Sequence, residues 1–440
     1  DPIDPVDPVD PVDPVDPVDP VDPVDPVDPS TPTITSVSIP DSAMKVGDIV
    51  TVSITASDGG LTLNTGTING VPVTDFTGNG AGSYSATYTV AEGHTDRTAG
   101  DTIPVSFVLA DSAGNVSAAF TTAINQTSDS IDANTPTINS VSIPDSAMKV
   151  DDVVTVSITA SEAGLSLTSG TINGVAVTGF SDIGGGSYEA TYTVVEGQTG
   201  RVAGDAIPVS FVLADSAGNA SAPFDTAISQ ANDSIDANSP TISSITIPDA
   251  AMKIGDIVTV SIAASEAGLT LNTGTINGIA VTGFNDIGGG NYEATYTVVE
   301  GHTDRAAGDA IPVDFVLEDA AGNASDTFTT AISQASDAID ANSPTITAVT
   351  IADTAMKVGD VVTVSISANE AGLTLTSGTI NGVDVTGFTD NGAGAYSATY
   401  TVIEGHTNRA AGANIPVSFV LEDAAGNASD TFTTAISQAS

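Results

Sequence analysis

Apolar and polar residues alternate with a period of two along most of this chain. From Ile49 to Ala56, Val50, Val52 and Ile54 interleave with Thr51, Ser53 and Thr55. Thr33 to Ile39 alternates and stops at Pro40-Asp41. Ser83 to Val90 sets Tyr84, Ala86 and Tyr88 on one side, and Ile103 to Leu109 sets Ile103, Val105, Phe107 and Leu109 on one face. Period two places successive side chains on opposite faces of a strand, so each stretch predicts a half-buried strand. Leu61 to Ile68 and Val71 to Phe76 flank Asn69-Gly70, which predicts a hairpin. Val116 to Ile124 is the last predicted strand of the set. No segment carries helical apolar spacing over a useful length.

The whole pattern repeats. Lys45, Lys149, Lys253 and Lys357 stand 104 residues apart, as do Arg97, Arg201, Arg305 and Arg409, and these are all 8 basic residues of the chain. Such periodicity marks tandem units rather than one large fold. The predicted units are residues 30–133, 134–237, 238–341 and 342–440, each long enough for its own core. About seven short strands per unit, rich in Val, Ile and Thr, predict an all-β class: four tandem immunoglobulin-like β-sandwich domains in a linear rod. Strand and loop lengths put such a rod on the order of 160 Å. Residues 1–29 run as Asp-Pro-Val triplets, once Asp-Pro-Ile. Proline at every third position excludes helix and central strand, so the tract predicts an extended spacer, with a low-complexity linker as the alternative.

Charge narrows the partners. The net charge of −47 excludes nucleic acid, whose phosphates need a basic surface, and disfavours an anionic membrane. So many carboxylates either repel one another or bind cations. Acidity that only solvates the surface in brine is the plain alternative, but many of the acids recur at fixed loop positions. Cysteine is absent, which fits a secreted bacterial protein, and no apolar run approaches the 18 or so residues of a membrane span. The first residues lack signal-peptide features, so the chain is expected either to be exported by a signal outside this segment or to be a piece of something longer. Only 5% of residues are aromatic, and a core that lean gains from a bound metal.

The candidate chemistry lies at the joints. Asp129 to Ile138 returns as Asp233 to Ile242 and as Asp337 to Ile346. Each copy carries oxygen ligands: Asp129, Asp132 and Asn134; Asp233, Asp236 and Asn238; Asp337, Asp340 and Asn342. Asp25 and Asp28 lie one step before Asp129 and Asp132, so the tract is the expected supplier of a joint ahead of the first unit, with Ser30 in place of the asparagine. In an immunoglobulin-like sandwich, two loops lie at the pole that the incoming linker reaches. One loop carries Asp58, then Glu162, Glu266 and Glu370; the other carries Asp111 and Asn115, Asp215 and Asn219, Asp319 and Asn323, Asp423 and Asn427. Asp132, Asn134, Glu162, Asp215 and Asn219 are therefore expected to converge, although far apart in sequence.

The opposite pole is acidic as well. Glu92 and Asp101, Glu196 and Asp205, Glu300 and Asp309 face the next joint if the units stack end to end; Ala413 breaks that series. Surface pairing of these acids with Lys45 and Arg97 is the competing account for this pole, at about 0–1 kcal/mol per pair. An all-oxygen set points to Ca²⁺, which takes six to eight such ligands. Zinc and copper want Cys or His, and Mg²⁺ suits a crowded carboxylate cage less well. Calcium at each joint would tie two units and the linker to one ion, and would stiffen a monomeric chain whose partners are calcium and its own neighbouring repeats.

Catalysis finds no support. His94, His302 and His406 share a repeat position with Gln198, and no recurrent nucleophile, base and orienter can be assembled. Tyr84 and Tyr88 read as core, and Gly184-Gly185-Gly186 precedes a strand rather than a helix, so it is no phosphate loop.

Three motifs carry a resemblance: Met-Lys-Val-Gly-Asp before the second strand, Asp-Ser-Ala-Gly-Asn or Asp-Ala-Ala-Gly-Asn after the sixth, and Asp-x-Asn-x-Pro at the joint. Over residues 30–440 the chain resembles the Ca²⁺-dependent extender repeats of large repeats-in-toxin surface adhesins, ice-binding adhesins among them. The resemblance implies bacterial immunoglobulin-like domains in an extracellular, non-enzymatic stalk at the bacterial cell surface, stiffened by calcium at the linkers. It implies Asp132, Asn134, Glu162, Asp215, Asn219 and their equivalents as ligands. The family's glycine-rich nonapeptide coil is missing. The alternative is a row of modules that themselves bind carbohydrate or protein.

Overall fold

The structure is a computed structural model and describes residues 30–439. The extended spacer expected over residues 1–29, with Asp25 and Asp28, lies outside the described residues. The first unit contains β1 (Ile34–Ser38), β2 (Met44–Lys45), β3 (Ile49–Ala56), β4 (Thr62–Ile68), β5 (Val71–Pro72), β6 (Thr74–Gly80), β7 (Ser83–Thr89), β8 (Val105–Ala110) and β9 (Ile131–Asp132). There is no helix among the described residues. One sheet has the order β1-β3-β7-β6, the facing sheet the order β5-β4-β8, and β2 pairs with β9. The second and third units repeat this order strand for strand; the fourth lacks counterparts of β2 and β9 among its described residues.

Alternation explains the sheets. Along β3 every second side chain is buried, and Val50, Val52 and Ile54 stand opposite Tyr88, Ala86 and Tyr84 of β7. The inward row meets Phe107 and Leu109 of β8, both fully buried, from the facing sheet. Each unit encloses a separate core: Val37 to Ala133, Val141 to Ala237, Ile245 to Ala341 and Ile346 to Ile436 mark their limits. Two aligned antiparallel sheets around such a core form an immunoglobulin-like β-sandwich, here four in tandem.

Two local features depart from the periodicity. The predicted strand Val71 to Phe76 breaks at Val73: β5 completes the Asn69-Gly70 hairpin with β4, while β6 crosses to the other sheet and pairs with β7. Val73 is buried at the crossing, and beyond it the alternation slips by one residue, with Thr74 and Asp75 both exposed before Phe76 turns inward. The predicted strand Val116 to Ile124 is not a regular ladder. It touches the facing strand at spaced bridges, Ala110 to Val116, Phe107 to Phe120 and Ile103 to Ile124.

Candidate metal centres at the joints

The linker is built into the unit it leaves. In β9, Ile131 lies parallel to Met44 and Asp132 to Lys45, while Arg97 closes the other side by exchanging both backbone hydrogen bonds with Ile131, each 2.8 Å. Ile131 and Ala133 are fully buried, so apolar anchoring fixes where Asp132 and Asn134 emerge. Beyond the anchor, Thr137 bonds Ser161 of the next unit in both directions, through N–H to Oγ at 3.0 Å and from Ser161 N–H to its carbonyl at 2.9 Å. That brings the linker beside the Glu162 loop.

The loop is braced from its own core. Tyr188 donates its hydroxyl to the Glu162 carbonyl at 2.8 Å and accepts from the Leu165 N–H at 3.0 Å. The second loop is folded by Asp215, whose Oδ1 accepts from the Gly218 and Asn219 N–H groups and whose Oδ2 accepts from the Asn219 side chain. Asn219 then crosses the joint: its Oδ1 accepts from Val46 N–H of the preceding unit at 2.9 Å, and its Nδ2 donates to the Asp132 carbonyl at 3.3 Å.

The other pole meets the same place. Glu92 accepts from the Thr135 N–H and from its hydroxyl, the latter at 2.9 Å. Asp96 accepts from the Ala133 N–H at 2.8 Å and the Asn134 side-chain amide at 2.6 Å. Asp96 and its counterpart Asp304 are absent from the sequence-level candidates. Both recur at one position, but Gly200 and Asn408 interrupt the series and hide it. Arg97 positions this loop from below, donating from Nε to Asn69 Oδ1 at 3.0 Å while Asn69 donates to the Thr95 carbonyl.

Lys45 does not serve its own acids. Its ammonium reaches across the joint and donates to the Gly218 carbonyl at 2.8 Å; Lys149 does the same to Gly322 at 2.6 Å and Lys253 to Gly426 at 2.9 Å. Gly218 has φ +89°, and a Cβ built there would stand 3.2 Å from the ammonium, so conformation and contact both favour glycine.

The result is a cluster drawn from three segments. Burial, and then the carboxylates of Asp215, Asp96 and Glu92, hold the Asp132 carboxyl above the usual carboxylate range, against an opposing hydrogen bond from Asn134. Burial, then Asp215, Asp132 and Asp96, raise Glu162 likewise. At the third joint burial raises Asp340 and Glu370, with Asp423 and Asp304 adding to both. At the second joint burial raises Glu266, with Asp319 and Asp236.

Other candidates fall elsewhere. Asp101 closes a turn on the Thr98 N–H and hydroxyl, which lower its pKa, and Asp309 accepts from the Ala306 N–H. Asp205 lines a cleft with Lys149 and Asp236. Asp129, Asp233 and Asp337 are fully buried inside their own units and accept from Gln126, Gln230 and Gln334 N–H groups. Asp58, Asp111 and Asn115 lie on the corresponding loops of the first unit, with Asp111 folding its loop as Asp215 does. Glu196 and Glu300 accept from the Ser239 and Ser343 N–H groups. Asn323 and Asn427 cross their joints as Asn219 does.

The donors fit a hard divalent cation: all are oxygens, and neighbouring acids raise the carboxyls of Asp132, Glu162, Glu266, Asp340 and Glu370. Among the described residues no three His, Cys, Asp or Glu side chains stand together closely enough to hold a metal ion as placed. Glu92, Asp96 and Glu162 are exposed, so their rotamers have room to turn. The histidine position has a packing role: His94 stacks on the buried Tyr88 ring at 6.4 Å between centroids, while Gln198 donates to the Tyr192 hydroxyl.

No family model matches the chain, and no curated protein sequence does. Among solved structures, an ICAM-5 D1–D4 ectodomain fragment is similar at 13% identity over 93% of this chain and 99% of that one, TM-score 0.29. The N-terminal eight immunoglobulin domains of Down Syndrome Cell Adhesion Molecule are similar at 12% identity over 92% of this chain and 54% of that one, TM-score 0.25. Fibronectin(III)-like modules of Clostridium thermocellum CbhA are similar at 17% identity over 45% of this chain and 95% of that one, TM-score 0.22.

Proposed function

We propose that the chain is an extracellular stalk segment, without enzymatic activity, whose joints bind Ca²⁺ and stiffen when they do. This is the role of the extender repeats of bacterial surface adhesins that the motifs resemble. One observation carries it. Glu92 and Asp96 of one unit and Asp215 of the next lie close enough to the linker's Asp132 to raise its carboxyl, and Asp215, Asp132 and Asp96 do the same to Glu162, so acids from two units and their linker meet at a single joint.

At that joint Glu92, Asp96, Asp132, Glu162 and Asp215 would hold the ion, with Asn134 beside them. The ion would supply positive charge where four or five carboxylates now repel. The chain's own residues do the rest. Ile131 and Ala133 anchor the linker, Tyr188 and Asp215 fix the two loops, and Lys45 with Asn219 docks one unit on the next. An organised, partly docked joint loses less entropy on binding an ion than a free linker does.

Small-angle X-ray scattering on the whole chain, in calcium and then in EDTA, tests this. The expected result is a larger maximum dimension and a narrower ensemble in calcium. Superimposable curves under both conditions would sink the proposal and leave the acidity as surface solvation.

A further inference from the structure

In the second, third and fourth units one hairpin is laid along the loop that carries the glutamate of the joint. In the second unit it runs from Phe180 through Asp182 and Gly184-Gly185-Gly186 to Tyr188, and Asp182 stands opposite Tyr188 across the two strands. Asp182 Oδ2 accepts from the Gly164 N–H and Oδ1 from the Gly184 N–H, each at 2.7 Å. The carboxylate thus ties the glutamate loop to the hairpin tip. Asp286 makes the same pair of bonds to Gly268 and Gly288, at 2.8 and 2.7 Å. Asp390 makes it to Gly372 and Gly392, at 2.9 and 2.7 Å.

Glycine lets the tip come this close. The Gly186 carbonyl accepts from the Ala160 N–H at 2.8 Å. Gly186 has φ +77°, and a Cβ built there would lie 2.7 Å from the Ala160 carbonyl oxygen and 3.3 Å from that of Glu162. Phe180 stacks on the Tyr188 ring at 5.2 Å between centroids, and the hydroxyl of that ring holds the Glu162 carbonyl. The first unit keeps the backbone, with Gly60, Gly80 and Gly82 at φ +77°, +89° and +78°, but has Gly78 where the aspartate stands.

We infer that this hairpin sets the position of the glutamate loop, and that Asp182, Asp286 and Asp390 are positioning residues for the joint cation, acting through Glu162, Glu266 and Glu370. Both oxygens of Asp182 are engaged by backbone N–H groups, so its contribution is to hold the loop. A loop fixed before the ion arrives loses less entropy on binding, and site rigidity is one of the terms that tunes calcium affinity. The inference rests on the calcium reading of the joint, but the grip of the hairpin on the loop is measurable without calcium.

Hydrogen exchange of the whole chain in EDTA tests the grip. Asp182→Ala should speed exchange severalfold at residues 161–165 and leave the other loops unchanged. Asp182→Asn, which keeps one acceptor, should fall between. Gly78→Asp should slow residues 57–61, a gain that general destabilisation cannot produce. A Cβ at Gly78 would meet only the Tyr84 ring, at 3.5 Å, so the side chain has room. Calorimetric titration with calcium then tests the consequence. Asp182→Ala should weaken one site by about tenfold, and Asp182→Asn should recover part of the loss. Unchanged exchange at residues 161–165 in Asp182→Ala overturns the inference whatever calcium does. So does unchanged calcium affinity in that variant, or equal loss in both variants while Asp182→Asn protects the loop, which would make charge the cause. An unaltered chain that takes up no calcium overturns the function proposed above, and the exchange in EDTA tells the two failures apart.

Discussion

The middle joint and its two neighbours share one plan and differ at one acid. Around the first and third joints, Asp96 and Asp304 grip the linker through Ala133 and Ala341 N–H groups, each at 2.8 Å, and through the amides of Asn134 and Asn342. The middle joint has Gly200 at this position, and a cleft of about 780 Å³ opens beside it, lined by Gly200, Arg201, Asp205, Lys149 and Ala320. Yet the middle joint keeps its direct docking: Lys149 to Gly322 at 2.6 Å and Val150 N–H to Asn323 at 2.8 Å. Docking and charge are therefore separable parts of a joint. The hydrogen bonds between units set how the units meet, and on the proposed reading the carboxylate count would set how strongly that meeting responds to a cation.

Removing calcium should separate these parts most clearly. With spin labels placed on either side of each joint, EDTA should broaden the distance distribution severalfold at the first and third joints and less at the middle one. Equal broadening at all three would break the comparison. Next in size is Gly200→Asp, which supplies the missing carboxylate. Ligand charge count tunes calcium affinity, and one added acid should tighten the middle site by about tenfold, read by calorimetric titration; Asp96→Gly should weaken the first site by a similar factor. Lys149→Met comes third. Losing a hydrogen bond from a charged donor should cost the middle joint about 1–2 kcal/mol of docking, seen as a broader distribution in EDTA at that joint alone.

The smallest effect is that of pH. Asp132, Glu162, Glu266, Asp340 and Glu370 all have carboxyls raised above their ordinary values, first by burial. For a raised acid the folded state holds the proton more tightly than the unfolded state. The stabilising contribution is then complete below the unfolded value and lost as pH rises through the raised folded value. In EDTA, melting temperature should accordingly climb by a few degrees as pH falls from neutral towards the ordinary carboxylate range. Asp101, whose pKa is lowered, works in the opposite direction at the acid end of that window. With calcium bound the slope should flatten or reverse, because protons then compete with the ion.

Much of this was legible in the sequence. The fixed step exposed four units, period two exposed the strands, and recurring Asp, Glu and Asn marked the joint. Three things were not. The crossing at Val73 shows only as a one-residue slip of the alternation, from Val71 and Val73 to Phe76, and so short a slip does not say that the strand has changed sheet. The strand β9 has two residues, too few to show a period, and its partners lie at Met44 and Arg97. Pairing of Lys45 with acids of its own unit was one of two accounts of that pole, but its target lies 173 positions away, in a loop brought near only by the way one unit sits on the next. Asp96 was hidden by the very substitution, Gly200, that makes the middle joint different.

The parallel pairing of β2 with β9 bears on mechanical load. Tension along the chain enters a unit near its first strand and leaves through β9. Parallel neighbours pulled towards opposite ends resist in shear, so the bonds of Met44, Gly93 and Arg97 to the linker carry the force together rather than opening one at a time. The residues that place Asp132 at the joint, and their counterparts in the second and third units, are thus also the grip through which these units would transmit a pull to the next. Its lifetime under tension would be governed by the rate of slipping Ile131 from its slot rather than by the equilibrium stability of the sandwich.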